Sequence, residues 1–519
     1  MPVTIKDKNY LLGVDIGTSG TKTIIIDENG NIISSDLKEY HLNTPKPGWA
    51  EQNPKDWYYA AIDTILGAML KAGITGADIK AIGLSGQMHG SVFLDKNEQV
   101  IRPALLWCDQ RTEPQCKEIY EIFGFENFIK LSFNKALPGF TSPKILWLRE
   151  NEPENYKKTA KILLPKDYVR FMMSGIYATE VSDASGMLLM DIKNRTWSDE
   201  ILNGLKIEKN LLADIFESEE VSSFVDKKTA KLTGLIEGTP IVGGGGDNAA
   251  GNVGSGIINE GIISNSIGTS GVVFAHSDKP VYDPKGRLHS FCHAVKGKWH
   301  LMGVTLAAAG SQKWFFDAIG PSREIEKEFP EGKKYKLFDK EAEKIKPGSE
   351  GLIFLPYISG ERTPYADPYA RGVFFGLSYL HNHSHFVRSV MEGVAFSQLD
   401  CLNLMREVGI TSSKIIMVGG GSKSKIWKEI ICDVFETKIA SLRNEEGPSF
   451  GAALLAGIGC GIYKNTEEAV NKSVKVLSER ISNPENSKVY KKTYEIYKSL
   501  YKSLKSDFKM LYKMQFDKL

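Results

Sequence analysis

The chain has 519 residues, enough for two large domains that each bury a full core. Its 65 lysines and arginines nearly balance its 63 aspartates and glutamates, so no overall charge favours nucleic acid or an anionic membrane, and a small molecule is the expected partner. The six cysteines have neither paired nor metal-ligand spacing, and no apolar run reads as a leader or a membrane span. We therefore expect a cytoplasmic protein without structural zinc.

The first feature along the chain is a tight turn of small residues between two β-rich runs. Residues 11–16 and 21–27 are rich in apolar and β-branched side chains, and residues 17–20, Gly-Thr-Ser-Gly, connect them. This pattern predicts a β-hairpin. Its turn offers hydroxyls and bare backbone N–H groups, which can surround phosphate oxygens without steric block. A P-loop is not indicated, because Thr21 stands where the second glycine belongs and a β run follows.

The same turn recurs in the second half of the chain. Residues 16–20 reappear letter for letter as residues 267–271, an offset of 267 − 16 = 251. Two matched phosphate hairpins predict two related halves with a nucleotide in the cleft between them. We expect an α/β fold of two ribonuclease H-like domains, of the actin and hexokinase ATPase type, at residues 1–256 and 257–519. The alternative is that both hairpins are merely tight turns.

One residue distinguishes the two copies of the turn. Asp15 precedes the first copy, whereas Ser266 precedes the second. A carboxylate beside a phosphate-binding turn is repulsive unless a cation lies between them. We therefore predict that Asp15 holds Mg²⁺.

A candidate ligand contact follows the next predicted strand. A β run at residues 32–35 and a helix at 56–71 lead to a strand at 79–84, which runs into Gln-Met-His-Gly at 87–90. Polar residues just beyond the carboxyl end of a strand are where open α/β sheets place ligand contacts. We predict that His89 donates a hydrogen bond to a ligand hydroxyl, with a purely structural histidine as the alternative.

A carboxylate and a guanidinium end the apolar run at residues 103–108. Trp107 is equally consistent with a core residue and with a platform for a ligand. Asp109 is a candidate ligand contact, but a salt bridge with Arg111 explains it equally well. An amphipathic helix with an early proline is predicted at 139–148.

The second chemical centre is a buried strand that runs into four glycines. Residues 243–246 are all glycine, and Asp247 and Asn248 follow them. Four glycines cost conformational entropy, so a close approach of backbone and substrate is indicated. Asp247 can accept a hydroxyl proton because its reference pKa lies near 4, and Asn248 can orient the same hydroxyl. The alternative role for Asp247 is the N-cap of a helix.

The region after the second hairpin combines a helix, a charged stretch and a strand. A helix is predicted at residues 306–317, and the charged residues 323–346 indicate a solvated insertion that is not part of the site. A strand at 354–358 ends in a polar turn at 359–364.

The last part of the chain holds a glycine turn and a terminal helix. A strand at residues 415–418 runs into a glycine turn at 419–424, which suits close packing of backbone against a purine and its ribose. From Tyr490 to Leu511, aromatic and leucine side chains recur every three or four residues among lysines. This spacing predicts a terminal helix docked on the second domain.

These residues resemble the FGGY carbohydrate kinase family over nearly the whole chain, from Tyr10 to Ile462. Two stretches are similar to the family signatures, one at residues 139–148 and one running from 372–377 to Met391 and Glu392. Further similarities, to the members that phosphorylate xylulose, lie at 87–90, 164–168, 244–251 and 359–364.

The resemblance implies ATP-dependent phosphorylation of D-xylulose at its 5-hydroxyl to give D-xylulose 5-phosphate, with Mg²⁺ and with Asp247 as general base. The implied sugar contacts are Met88, His89, Trp107, Asp109, Asp247 and Asn248. The implied nucleotide contacts are Thr18, Ser19, Lys22, Gly268, Thr269, Gly310, Trp314, Gly420, Gly421 and Ser424. The chain departs from the family pattern at Cys108, where asparagine is expected, so the sugar contact of that position is left open.

Three questions remain open at the level of sequence. A kinase of another ketose or of a polyol would share the same architecture, because one contact can decide which hydroxyl is accepted. An actin-like or chaperone ATPase would share the hairpins, but the 519 − 451 = 68 residues after Gly451 read as helix and leave no room for a peptide-binding β domain. The oligomeric state is undecided, with a homodimer as one candidate.

Overall fold

The computed structural model describes residues 9–320, 334–443 and 446–516. The strands are β1 (Tyr10–Ile16), β2 (Gly20–Asp27), β3 (Ile32–Glu39), β4 (Glu51–Gln52), β5 (Ile79–Gly86), β6 (Val92–Asp95), β7 (Ala104–Leu105), β8 (Thr159–Leu163), β9 (Ala178–Glu180), β10 (Met190–Asp191), β11 (Thr196–Trp197), β12 (Asp214–Phe216), β13 (Val221–Phe224), β14 (Pro240–Val242), β15 (Gly245–Gly246), β16 (Gly261–Ile267), β17 (Gly271–Ser277), β18 (His289–Cys292), β19 (Trp299–Thr305), β20 (Ile353–Leu355), β21 (Val373–Phe375), β22 (Ser412–Val418), β23 (Lys438–Leu442) and β24 (Val476–Arg480).

The helices of the described residues follow the same chain-order numbering. They are α1 (Pro54–Ala72), α2 (Glu113–Phe123), α3 (Phe125–Ser132), α4 (Thr141–Asn151), α5 (Pro153–Lys158), α6 (Pro165–Ser174), α7 (Val181–Ser185), α8 (Asp199–Leu205), α9 (Lys227–Thr233), α10 (Asp247–Gly254), α11 (Ala309–Ile319), α12 (Lys334–Glu343), α13 (His383–Glu407), α14 (Lys425–Phe435), α15 (Gly447–Gly459), α16 (Thr466–Ser473) and α17 (Pro484–Phe516).

The first half of the chain forms a mixed sheet around the predicted hairpin. Its strand order is β13-β14-β5-β1-β2-β3, with β15 also paired to β5. Strands β1 and β2 are antiparallel, with Ile16 opposite Thr21, and β5 runs parallel to β1. Strand β1 is buried along almost its whole length, as expected for a central strand covered on both faces.

The second half repeats this arrangement. Its sheet has the order β18-β19-β17-β16-β22-β23-β24, and β16 and β17 form the second hairpin. In both halves an antiparallel hairpin carries a third antiparallel strand on one side and parallel strands on the other. The predicted pair of related α/β halves of the actin and hexokinase type is therefore confirmed.

Helix α15 crosses from the second half of the chain to the first sheet. A Cβ atom on Gly13 or Gly83 would lie 1.9 Å from the backbone oxygen of Ser449 or Ala452, so the helix backbone rests directly on β1 and β5. A Cβ on Gly451 would lie 1.7 Å from the backbone oxygen of Ala250 in α10, so α10 and α15 are in equally close contact. A division at residue 256 thus leaves the first sheet without one of its covering helices.

The C-terminal region contains the expected docked helix and one unexpected strand. Helix α17 buries Tyr490 and Tyr497 against the second half, and the hydroxyl of Tyr357 donates to that of Tyr497 at 2.8 Å. Strand β24 was not predicted, because the residues after Gly451 read as helix throughout; it pairs with β23 at the sheet edge. Among the described residues no helix is both long and apolar enough to cross a membrane.

Candidate active site

Three adjoining cavities lie in and beside the cleft; two are lined by both halves and the third by the second half alone. The first, here called the histidine cavity, measures about 280 Å³; its lining includes Met88, His89, Trp107, Phe140, Asp247, Asn248, His289 and Arg362. The central cavity, of about 400 Å³, shares Asp247 and Asn248 with it and adds Ser266, Gly420 and Lys423. The tryptophan cavity, of about 490 Å³, shares Gly420 and Lys423 with the central one and is lined further by Gly268, Thr269, Gln312, Asp339, Gly421, Ser424 and Trp427.

Two carboxylates from different elements repel each other, although only Asp247 lines the cavities and Asp15 lines none of the three. Asp15 lies near the end of β1, and burial together with the charge of Asp247 raises the pKa of its carboxyl to about 7. Burial also raises the pKa of Asp247, the first residue of α10, to about 6. Oδ1 of Asp15 has no hydrogen-bond partner among the described residues. Two mutually repelling carboxylates with an unpartnered oxygen are suited to hold a divalent cation that also binds phosphate.

Within the described part of the chain, Asp247 accepts hydrogen bonds on one oxygen only. Its Oδ1 accepts from the backbone N–H of Asn248 at 2.7 Å and from Nδ2 of Asn248 at 2.9 Å. The N-cap of α10 is Gly246, so the alternative role of Asp247 as an N-cap is wrong. Its Oδ2 is left for a ligand.

Buried polar side chains hold the backbone of the glycine run before Asp247 in place. Gly244 has φ 72°, and a Cβ there would lie 1.8 Å from the backbone oxygen of Leu84, so this position requires glycine. Arg170 donates to the backbone oxygen of Gly243 at 2.5 Å, and the N–H of Gly246 donates to Oγ of Ser182 at 3.0 Å. The Arg170 and Ser182 side chains are fully buried, so this support is rigid.

His89 reaches the histidine cavity with a defined tautomer. Its Nδ1 lies 3.0 Å from the carbonyl oxygen of Gly186, which can only accept, so Nδ1 carries the proton. Burial, and next the charge of Lys144, lower the pKa of the ring to about 3, so it is neutral near pH 7. The remaining Nε2 is therefore an acceptor, and the donor role predicted for His89 toward a ligand is wrong.

Trp107 lies at the histidine cavity, whereas Asp109 is buried away from it. Trp107 is 40% exposed and lines the histidine cavity, while its Nε1 donates to Oγ1 of Thr18 at 2.9 Å, so the core interpretation is wrong. Asp109 is fully buried, and its carboxylate accepts from Arg111 at 2.7 Å and from the N–H of Ala50 at 2.7 Å. The ion-pair interpretation of Asp109 is thus confirmed, and the structure does not bring Asp109 into the cavity.

Five of the predicted nucleotide contacts line the tryptophan cavity. They are Gly268, Thr269, Gly420, Gly421 and Ser424. The charged stretch 323–346 was expected to lie outside the site; residues 321–333 are outside the described part of the chain, but Asp339 lines this cavity and accepts from Oγ of Ser424 at 2.7 Å. The expectation is therefore wrong for Asp339.

The other predicted nucleotide contacts lie elsewhere. Trp314 stacks on Phe354 at 6.3 Å between ring centroids and does not line the cavity. Trp427, which was not predicted as a contact, lies almost fully buried in the cavity wall. Gly310 lies beneath the second turn, where its N–H donates to the backbone oxygen of Thr269 at 3.1 Å.

The first turn and its flanking lysine face other groups. Oγ1 of Thr18 donates to Oε1 of Gln87 at 3.2 Å, and Ser19 is exposed. Lys22 forms an ion pair with Glu446. Thr18, Ser19 and Lys22 therefore do not line the histidine, central or tryptophan cavity.

Three polar residues of the histidine cavity were not predicted as contacts. Ser270, His289 and Arg362 come from the second half, whereas the predicted sugar contacts all come from the first. The polar turn at residues 359–364 was the available signal for Arg362. Sequence reasoning could not show that this turn reaches across the cleft.

The fold and its paired hairpins place the chain among the two-domain ATPases of the actin and hexokinase type. Models of the FGGY family of carbohydrate kinases match it twice, the N-terminal domain model over residues 10–254 and the C-terminal domain model over residues 263–460. The chain belongs to the FGGY family of carbohydrate kinases. An actin-like or chaperone ATPase is thereby excluded.

Similar proteins and structures cover almost the whole chain. Xylulose kinase of Bacillus subtilis is 40% identical over 94% of this chain and 96% of its own length. Xylulose kinase of Lactococcus lactis is 41% identical over 94% of this chain and 95% of its own. A crystal structure of a xylulose kinase from Brucella ovis has a TM-score of 0.88 at 34% identity, covering 96% of this chain and all of that one. Gluconate kinase from Lactobacillus acidophilus has a TM-score of 0.90 at 26% identity, covering 97% of this chain and all of that one.

Proposed function

We propose that this protein phosphorylates D-xylulose on its 5-hydroxyl with ATP, giving D-xylulose 5-phosphate and ADP. The observation that carries the proposal is the position of Asp247, a carboxylate that lines both the histidine cavity and the central cavity. A sugar in the first cavity and the phosphates of ATP in the second would meet at its free Oδ2. The xylulose kinases that match over 94% of the chain support this choice of sugar.

Asp247 is proposed as the general base. The 5-hydroxyl of the sugar gives its proton to Oδ2 while its oxygen forms a bond to the γ-phosphorus. The bond from that phosphorus to the β–γ bridging oxygen breaks, and ADP leaves. Asn248 holds Oδ1 through two hydrogen bonds, so the carboxylate is oriented before the sugar arrives.

The surrounding side chains orient the sugar and the nucleotide. Nε2 of His89 accepts from a sugar hydroxyl, and Met88 and Trp107 form the adjoining wall. The purine of ATP occupies the tryptophan cavity against Trp427 and the turn at Gly420 and Gly421. Closure of the cleft over both substrates excludes the water that would otherwise attack ATP.

We also propose Mg²⁺ as the cofactor of the reaction and a cytoplasmic location. Asp15 would hold the ion, with Asp247 beside it, since its unpartnered oxygen and raised pKa fit a cation ligand. When bound, Mg²⁺ supplies positive charge against the phosphate oxygens. All six cysteines are free, which supports a reducing compartment.

A substrate panel tests the proposal. The purified protein is supplied with ATP, Mg²⁺ and single ketoses, polyols or sugar acids, and ADP release is coupled to a spectroscopic readout. We expect D-xylulose to give the highest kcat/KM, and phosphorus NMR of its product to show a phosphate on C5. A higher kcat/KM for a polyol or a sugar acid would contradict the choice of substrate.

A further inference from the structure

Arg362 brings an uncommitted cation into the histidine cavity. Its guanidinium makes no hydrogen bond or ion pair with any described residue. Its backbone is engaged, because the N–H donates to Oε1 of Glu361 at 2.7 Å and the oxygen accepts from the N–H of Ala366 at 2.6 Å. Burial lowers the pKa of Arg362, but a guanidinium remains charged near neutral pH. Glu361 attracts this charge, but no described residue accepts a hydrogen bond from the guanidinium. Buried N–H groups without an acceptor are costly, so a ligand that satisfies them is indicated.

The backbone around Arg362 is held firmly even though its side chain is free. Thr363 and Val304 of β19 exchange two hydrogen bonds, from Thr363 N–H to the Val304 oxygen at 3.0 Å and from Val304 N–H to Thr363 Oγ1 at 3.1 Å. Oε1 of Glu361 accepts from the N–H of Leu306 at 3.0 Å. The turn is therefore fixed to the second sheet, and the guanidinium projects from a rigid base.

Most other polar groups of the cavity cannot serve a carbonyl oxygen. A ketose carries a carbonyl at C2, which accepts hydrogen bonds but donates none. Nε2 of His89 and Oδ2 of Asp247 are acceptors, so they suit hydroxyls. Nε1 of Trp107 is a donor, but Thr18 already occupies it, and Nδ2 of Asn248 gives one of its two N–H groups to Asp247.

The remaining donors are the second N–H of Asn248, Ser270, His289 and Arg362. Asn248 is bonded to the proposed base Asp247, so it lies beside the reacting hydroxyl and not at the other end of the sugar. Ser270 belongs to the turn of the second hairpin, and its hydroxyl can donate or accept, so it suits a sugar hydroxyl equally well. His289 is neutral near pH 7, since burial lowers its pKa to about 3, and a neutral imidazole offers one N–H. Arg362 offers a planar fork of N–H groups, which can bind two neighbouring oxygens at once.

We propose that Arg362 binds the ketone end of the sugar, with its guanidinium donating to the C2 carbonyl oxygen and the neighbouring C1 hydroxyl oxygen. Arg362 would then set substrate preference by recognising the end of the sugar that does not react. It lines the histidine cavity but not the central cavity, which supports a contact with the sugar over one with the γ-phosphate. The inference rests on the proposed ketose kinase activity and extends it to one residue.

The test compares two substrates in wild type and in two variants. Arg362→Met removes the charge and the donors at similar length, and Arg362→Lys keeps the charge but loses the fork. The substrates are D-xylulose and 2-deoxy-threo-pentitol, which has the same hydroxyls on C1, C3, C4 and C5 but no oxygen on C2. Arg371→Met is the matched control, because Arg371 lines none of the three cavities; its guanidinium donates to backbone oxygens of Pro368 and Ala370 and lies 5.5 Å from the ring centroid of Tyr512.

We expect Arg362→Met to lower kcat/KM for D-xylulose by about 10- to 100-fold, as for loss of a hydrogen bond to a charged group. Most of the effect should appear in KM, with KM for ATP unchanged. The 2-deoxy substrate should lose less than threefold, and Arg362→Lys should fall between the two. Arg371→Met should match wild type.

Three results would overturn the inference. Equal losses with both substrates would place the contact away from C2, and a fall in kcat shared by both would place it at the phosphoryl group. A wild-type preference for D-gluconate over D-xylulose would assign the guanidinium to a carboxylate.

If Arg362→Met does not fold, as judged by circular dichroism, the same comparison is decided with Arg362→Lys. If wild type prefers another ketose, the proposed sugar fails, while the test of Arg362 proceeds with that ketose and its 2-deoxy alditol.

Discussion

Replacement of Asp247 by asparagine separates the possible roles of this carboxylate. The amide oxygen can take over both bonds of Oδ1, from the N–H and the Nδ2 of Asn248. The amide NH₂ then takes the place of Oδ2, which has no described partner. We expect both substrates to bind nearly as in wild type, because size and shape are retained while basicity is lost.

The expected magnitudes differ strongly between stability and rate. Loss of a negative charge from the first turn of α10 costs about 0.3 to 1 kcal/mol of helix-dipole stabilisation. Removal of the repulsion with Asp15, which raises the pKa of that residue, acts in the opposite direction. The melting temperature should therefore change little. The rate should fall by about 10² to 10⁴, which is the usual contribution of a general base.

The assay measures kcat at saturating D-xylulose, ATP and Mg²⁺, with affinities for both substrates from calorimetry. Asp278→Asn serves as a matched control, because Asp278 lies at the surface and pairs with Lys298. A kcat within threefold of wild type would refute the assignment of Asp247 as base. Partial recovery of the rate in excess Mg²⁺ would indicate that metal binding is its main role.

Three further predictions concern the sugar cavity, the nucleotide turn and the buried histidines. His89→Ala should weaken sugar binding by about 1 to 3 kcal/mol and leave ATP binding unchanged in calorimetry, because only Nε2 is free to accept a hydroxyl; unchanged sugar affinity would make His89 purely structural. Gly420→Ala should raise KM for ATP at least about fivefold at an unchanged melting temperature, because its Cβ would meet no atom of the described residues within 4 Å and would project toward the proposed nucleotide; an unchanged KM would contradict a nucleotide contact at this turn. Burial lowers the pKa values of His289 and His300 to about 3, against about 6.5 in the unfolded chain. The free energy of unfolding is therefore unaffected by these histidines above pH 6.5 and decreases as the pH falls from 6.5 toward 3, because only the unfolded chain then binds the protons. Each histidine should lower the free energy of unfolding by about 2 kcal/mol between pH 7 and pH 5. His300→Phe should therefore reduce the decrease in unfolding free energy that urea denaturation measures between these two pH values; an undiminished decrease would contradict the lowered pKa of His300.

Local patterns were enough to predict the frame of the molecule. The repeated pentapeptide fixes two hairpins because turn residues act over a few positions. The pairing of the halves then follows from the repeat. The glycine run before Asp247 was also identified, although the requirement for glycine is clear chiefly at Gly244, where φ is positive and the backbone of β5 is adjacent.

Contacts that depend on which face of an element turns inward could not be predicted. Trp314 and Trp427 both lie on helices of the second half, and only packing decides that Trp427 faces the cavity while Trp314 stacks on Phe354. Asp339 sits in a charged stretch whose composition is that of a solvated surface. The tautomer of His89 depends on Gly186, 97 positions away, so no local pattern could reveal it.

The close contact of α10 and α15 joins the two halves beside the central cavity. Helix α10 begins at Asp247, α15 begins at Gly447, and both starting residues line the central cavity. The helices touch through backbone at Gly451, where a side chain would collide with Ala250. Asp247 belongs to the same helix as Ala250, so a closing rotation about this contact would move it less than Arg362, in the turn after β20. Under the proposed roles, closure would bring Arg362 against the ketone end of the sugar while the base stays aligned with the phosphates.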